Sequence, residues 1–146
     1  MKLALRRTAA SNASRFARLA AWAIKVRLVS QYCHGGIAIG DTLYHTTANS
    51  GLCRSSFDPA KWDLFDLGPA QDAAALALFD KHQGAAYDWI SLLAFVLPCR
   101  ISDRKRFYCF EWAQLCITGI YPQGRVTPEA LLLAAVPATP ENPVFS

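Results

Sequence analysis

The chain is expected to fold as one α+β domain in which an antiparallel β-meander packs against helices. Three observations predict this: short β-type segments punctuated by turns between Gly36 and Leu67, an Ala- and Leu-rich helical stretch from Ala70 to His82, and an aromatic-rich helix opening at Cys109. At 146 residues with 53% hydrophobic side chains, the chain has the length of one domain and enough apolar material for a core. The domain is expected over 1–136, with a proline-containing tail over 137–146.

Lys2 to Arg7 mixes apolar and basic side chains in the manner of a half-buried strand. Ser11 or Asn12 then offers a cap for a basic-faced helix carrying Phe16, Leu19, Ala20 and Ala23. The meander is read as Gly36–Ile39, a Gly40-Asp41 turn, Leu43–Thr47, Leu52–Ser55 and Trp62–Leu67. In the helix over 70–82, Ala74, Leu76, Leu78 and Phe79 are expected to line a buried face, and Gly84 marks its end. A second helix is expected over Asp88–Leu97, stopped by Pro98 and followed by a charged loop from Arg100 to Arg106. A third begins near Cys109 and runs towards Ile117, and Thr127-Pro128-Glu129 starts a last one over Ala130–Val136.

Fifteen Lys and Arg against eleven Asp and Glu give a formal charge of +4, a weak attraction to anions that does not demand nucleic acid. The aromatic residues fall in core patterns instead of alternating with basic ones, so no nucleic-acid partner is expected. The start of the chain lacks an apolar run of signal-peptide length, which points to synthesis in the cytoplasm without a signal peptide. The longest apolar stretch, Trp89–Pro98, is about half the roughly 20 residues a membrane span needs, so no transmembrane anchor is expected. Five cysteines lack the paired short spacings of zinc or redox motifs, so no metal and no cofactor is expected.

A thiol hydrolase needs a stabilised thiolate, a base, a group to orient that base, and donors for the oxyanion. Cys109 opens a helix, where the dipole favours thiolate. Cysteine is more commonly a small buried hydrophobe, and it is the histidines that argue otherwise. His34 precedes Gly35-Gly36, two positions without side chains where other groups can approach. His45 lies on the strand that the Gly40-Asp41 turn folds back, able to neighbour His34, although a surface histidine on an edge strand fits as well. Glu111 suits helix-start electrostatics or an internal ion pair. Asp88 either caps a helix or orients the catalytic loop. The basic loop Arg100, Arg104, Lys105 and Arg106 is a solvated segment or a holder of an anionic group.

The segment Cys33-His34-Gly35-Gly36-Ile37-Ala38-Ile39-Gly40-Asp41 through Tyr44-His45 resembles the histidine strands of NlpC-like papain-fold proteins. Gly84-Ala85-Ala86-Tyr87-Asp88-Trp89 and Tyr108-Cys109-Phe110-Glu111-Trp112 resemble that family's tyrosine and nucleophile motifs. Histidine before cysteine is the order of its circularly permuted branch, which includes YiiX-like and lecithin:retinol acyltransferase-like proteins and small phage and prophage members; the likeness is greatest to the last and covers roughly residues 2–136. The sequence departs from the family pattern at Phe110, where a small serine is usual, and at Cys33.

The resemblance implies a papain-like fold with Cys109 as nucleophile, His34 as base and His45 as third polar residue. Tyr87 and Tyr108 would serve the oxyanion or substrate, with Asp88 and Glu111 in support. It implies a thiol protease or amidase acting on a peptide or peptidoglycan fragment. A noncatalytic virion or tail component, and a thiol acyltransferase or lipase on lipid substrates, are the alternatives. Virion or tail proteins would then be partners.

Overall fold

The computed structural model describes residues 1–8, 30–88 and 106–135, together with positions 15, 18, 22, 25 and 26, which are helical. Among the described residues the fold is α+β, with an antiparallel five-stranded sheet and three helices. The strands are β1 (Lys2–Arg6), β2 (His34–Ile39), β3 (Thr42–Thr47), β4 (Gly51–Ser56) and β5 (Asp63–Asp66), in the spatial order β4-β3-β2-β1-β5. The helices are α1 (Asp72–His82), α2 (Cys109–Thr118) and α3 (Pro128–Ala135).

The meander holds through β2, β3 and β4, and β5 corrects it. Instead of continuing beside β4, β5 pairs with β1 at the opposite edge, Leu3 against Phe65 and Leu5 against Asp63. The reason lies in β1, where Leu3, Ala4 and Leu5 are all fully buried and so need neighbours on both edges and both faces. A single 3-10 turn at Pro59–Lys61, capped by the Asp58 carboxylate on the Ala60 amide at 3.2 Å, carries the chain over to that edge.

Alternation along the strands gives the sheet two unlike faces. On the inner face Leu3, Leu5, Ile37 and Leu52 pack with Phe79, Phe110, Trp112, Leu115 and Leu131 in the main core. The outer face carries a smaller cluster of Ala4, Ala38 and Leu43, covered by Phe57, Trp62 and Leu64. In α1 the fully buried positions are Ala75 and Phe79, four apart on one helix face; Phe79 is buried as expected and Leu78 packs against the core, whereas Ala74 is exposed and Ala75 takes its place. Phe79 meets Tyr44 and Trp112 edge-on at 4.8 and 6.3 Å. The indole N–H of Trp112 donates to the Tyr44 carbonyl at 3.1 Å, tying α2 to β3.

Residues 89–105 and 136–146 lie outside the described residues, and with them the second helix beyond Asp88, most of the basic loop and the proline-containing tail. Arg106 differs from the loop expectation. With Phe107 it forms β7, which pairs in parallel with β6 (Ala86–Tyr87), and the Asp88 amide donates to the Phe107 carbonyl at 3.1 Å. No described helix is long and apolar enough to cross a membrane. The start of α3 matches its signal, since the Thr127 hydroxyl accepts the Ala130 amide at 3.2 Å.

Candidate active site

The two glycines after His34 serve two different neighbours. A side chain at Gly35 would meet the Phe110 ring at 3.0 Å and Leu5 at 3.1 Å, on the inner face. One at Gly36 would meet the His45 Cβ and the Tyr44 carbonyl, both at 2.9 Å, on the outer face. Gly35 therefore admits the bulky residue that follows Cys109, and Phe110 is a buried wedge against the sheet. Gly36 admits His45, its register partner in β3. His34, two positions from Gly36 and on the same face, thereby lies beside His45.

The imidazoles are joined, with His34 Nε2 2.9 Å from His45 Nδ1 and the rings edge-on at 5.2 Å. The line continues to Ser55 on β4, whose hydroxyl lies 3.1 Å from His45 Nε2. For His34 to act as a base through Nδ1, Nε2 must carry its proton. His45 then accepts at Nδ1 and donates from Nε2 to Ser55, so one hydrogen-bond direction along three residues sets the tautomer. Burial lowers the pKa of His34 to about 3, with help from the charges of His45 and Arg6, and burial lowers that of His45 to about 4. Both rings are neutral at pH 7, the state a base and its orienter require.

Cys109 is the first residue of α2. The backbone amide of Gly35, followed by those of Phe110 and of Cys109 itself, favours the charged form of its sulfur. Here β2 is paired on the β1 side only, because its register with β3 begins at Gly36–His45, and that leaves the Gly35 amide available to the thiol. Cys109 is thus influenced by the residue next to His34, and among the described residues no hydrogen bond is found between its sulfur and the His34 ring. Cys109 is 2% exposed, and burial pushes its thiol up to about 12 against the pull of the three amides. The helix start is where it was expected, but the protonation state differs from the expected thiolate, because desolvation outweighs the helix terminus. The pair at rest is a neutral thiol and a neutral imidazole.

Tyr87 lies close enough to Cys109, Asp88 and Glu111 for their charges to act on it, and burial above all raises its pKa well beyond the usual phenol value. It remains a phenol able to donate. Tyr108 is placed differently from the expectation. Its buried hydroxyl accepts the Val126 amide at 2.7 Å and donates to the Val126 carbonyl at 3.1 Å, which anchors the segment before α3. Glu111 accepts the Tyr108 amide at 3.2 Å, the helix-start role, and burial raises its pKa to about 8. Asp88 is buried, and its charge reaches both Tyr87 and Glu111; the helix it was expected to cap lies outside the described residues.

The position of Tyr87 is set by Gly51. The start of β4 docks on the segment before β6, with Leu52 donating to the Ala85 carbonyl at 2.8 Å and Gly84 donating to the Leu52 carbonyl at 3.1 Å. Gly51 has φ +61°, and a Cβ there would lie 2.1 Å from the Ala85 oxygen, so only glycine fits. Ser55, hydrogen-bonded to His45, is the member of this cluster that sequence reasoning missed. Its only signal is the shared face of positions 43, 45, 53 and 55, which needs the β3–β4 register.

Cys33, Cys53, Cys109 and Cys116 are free thiols. Among the described residues no group of three or more His, Cys, Asp or Glu side chains could hold a metal ion. A separate cleft on the outer face, lined by Lys2, Ala38, Asp41, Phe57, Leu64 and Asp66, contains none of these site residues. Comparisons with family models, with curated proteins and with solved structures give no match to this chain.

Proposed function

We propose that this chain is a cysteine hydrolase of permuted papain-like type, cleaving an amide or peptide bond through an acyl-enzyme. The observation that carries this reading is the hydrogen-bonded line His34–His45–Ser55, whose first member precedes Gly35, the residue whose amide acts on the Cys109 thiol at the start of α2. Cys109 attacks the carbonyl carbon as His34 takes the thiol proton, so the proton moves while the C–S bond forms and no resting ion pair is needed. The oxyanion is received by backbone amides at the start of α2 and by the Tyr87 hydroxyl. His34 returns the proton to the leaving amine, and water then releases the acyl group as a carboxylic acid. The substrate, a peptide of bacterial peptidoglycan in a phage or prophage setting, rests on the sequence resemblance alone.

One observation favours a second reading, a noncatalytic binding module or virion component: the nucleophile is buried and its thiol is protonated. The two separate on incubation with peptidoglycan peptide fragments. The hydrolase should release new amino groups, carry a transient acyl mass on Cys109, and lose turnover in Cys109→Ser with the fold intact. In His34→Ala, iodoacetamide labelling of Cys109 should slow by about 10²-fold or more. In the parent, that labelling should rise about tenfold per pH unit from pH 6 to 9 with no plateau, because the thiol titrates far above this range. Undiminished turnover in Cys109→Ser would rule the mechanism out; no turnover in the parent, with Cys109 labelling no faster than Cys116, would favour the binding module.

A further inference from the structure

On the outer face of the sheet, the cation beside the histidines is without an anion. Arg6 is the register partner of His34. Its guanidinium lies 5.6 Å from the centroid of the Trp62 ring, and the same indole lies 5.7 Å from the His34 ring. Trp62 is thus a platform shared by a cation and the candidate base. Asp63, on the strand that flanks β1, is engaged by Arg7 at 2.6 Å. Arg6 takes part in none of the salt bridges among the described residues, and its Nε is buried with no hydrogen-bond partner.

A buried guanidinium N–H without an acceptor is a site prepared for one. Its planar fork favours a two-oxygen anion, and the cation–π contact with Trp62 at 5.6 Å favours one placement of the group. The Cys33 amide donates to the Arg6 carbonyl at 2.9 Å, and Arg6 faces His34 across the strand pair, so this guanidinium belongs to the strand ends that carry the candidate base.

We propose that Arg6, laid on Trp62 beside His34, is a specificity residue that binds a carboxylate of the substrate close to the bond being cut. This rests on Cys109 being the nucleophile. The substrate class becomes a peptide bearing a free carboxylate at the cleavage point, and the corresponding amide is the poorer substrate.

The test compares iodoacetate, which carries a carboxylate, with iodoacetamide, its neutral analogue, by mass spectrometry of each cysteine in the folded protein. In the parent, the iodoacetate-to-iodoacetamide rate ratio at Cys109 should exceed that at Cys116 by about tenfold, the enrichment expected from a charge that concentrates an anion locally. The excess should disappear in Arg6→Gln, persist in large part in Arg6→Lys, and shrink in the parent as salt is raised. An equal ratio at Cys109 in the parent and in Arg6→Gln overturns the proposal. So does a preference confined to Cys33, or, should Arg6→Gln not fold, a parent ratio indifferent to salt. A Cys109 that reacts with neither reagent overturns the nucleophile itself, and the subsite with it.

Discussion

The two faces of the five-stranded sheet solve opposite problems. The inner face is dry, with leucines of β1 and isoleucine of β2 pressed against Phe79, Phe110 and Trp112. The outer face near the start of β2 is polar, holding Arg6, His34, His45 and Ser55 around Trp62. The first face carries the core, and under the proposed function the second handles the proton. Cys109 is carried by the core helix, and its thiol feels the amide of Gly35 at the edge of β2, where the pairing with β3 has not begun.

This division makes the two faces separable by mutation. The largest effect expected is on the inner face: Trp112→Ala removes a fully buried indole and its bond to Tyr44, and should cost about 3–5 kcal/mol in denaturant unfolding. A loss under about 1 kcal/mol would mean that the two faces do not divide the work in this way. Next is Gly36→Ala, which places a methyl against the His45 Cβ and the Tyr44 carbonyl. By moving His45 off His34 it should lower kcat/KM on the order of 10²-fold, more than it lowers Tm would suggest. Full activity there would show that His45 does not orient the base. The smallest is Ser55→Ala, which removes one partly solvated hydrogen bond worth about 1 kcal/mol, roughly fivefold in kcat/KM, with Tm unchanged. A loss as large as that of Gly36→Ala would make Ser55 a full member of the catalytic line.

The same division governs what could be read from the sequence. His34 and His45 were legible because a Gly-Asp turn sets a two-strand register and alternation puts both rings on one face. Ser55 was not, because its place depends on a second turn, over residues 48–50, whose length alone does not set the register. The start of α2 at Cys109 was legible from its aromatic-rich apolar pattern. The protonation of its thiol was not, since that follows from burial beneath contacts made by chain segments far away in sequence. The edge chosen by β5 answers to the burial of β1, a partner some sixty residues earlier, and local pattern carries no such information. Tyr108 was assigned by its place beside the nucleophile, and its hydroxyl went instead to the backbone of Val126.

The sequence separation of the two halves of the site has a kinetic consequence. The histidine line closes within β2, β3 and β4, which are consecutive hairpins, whereas Cys109 joins only after α2 has been made and docked on β3, some sixty residues after His45. Local hairpins form quickly and long-range docking slowly. On the ribosome, a chain made only as far as α1 already holds His34 and His45 on paired strands and still lacks Cys109. Under the proposed hydrolase reading, reactivity is acquired in the last stage of folding, with the closing of the core around Trp112, so that a partly folded chain has the proton acceptor without the thiol.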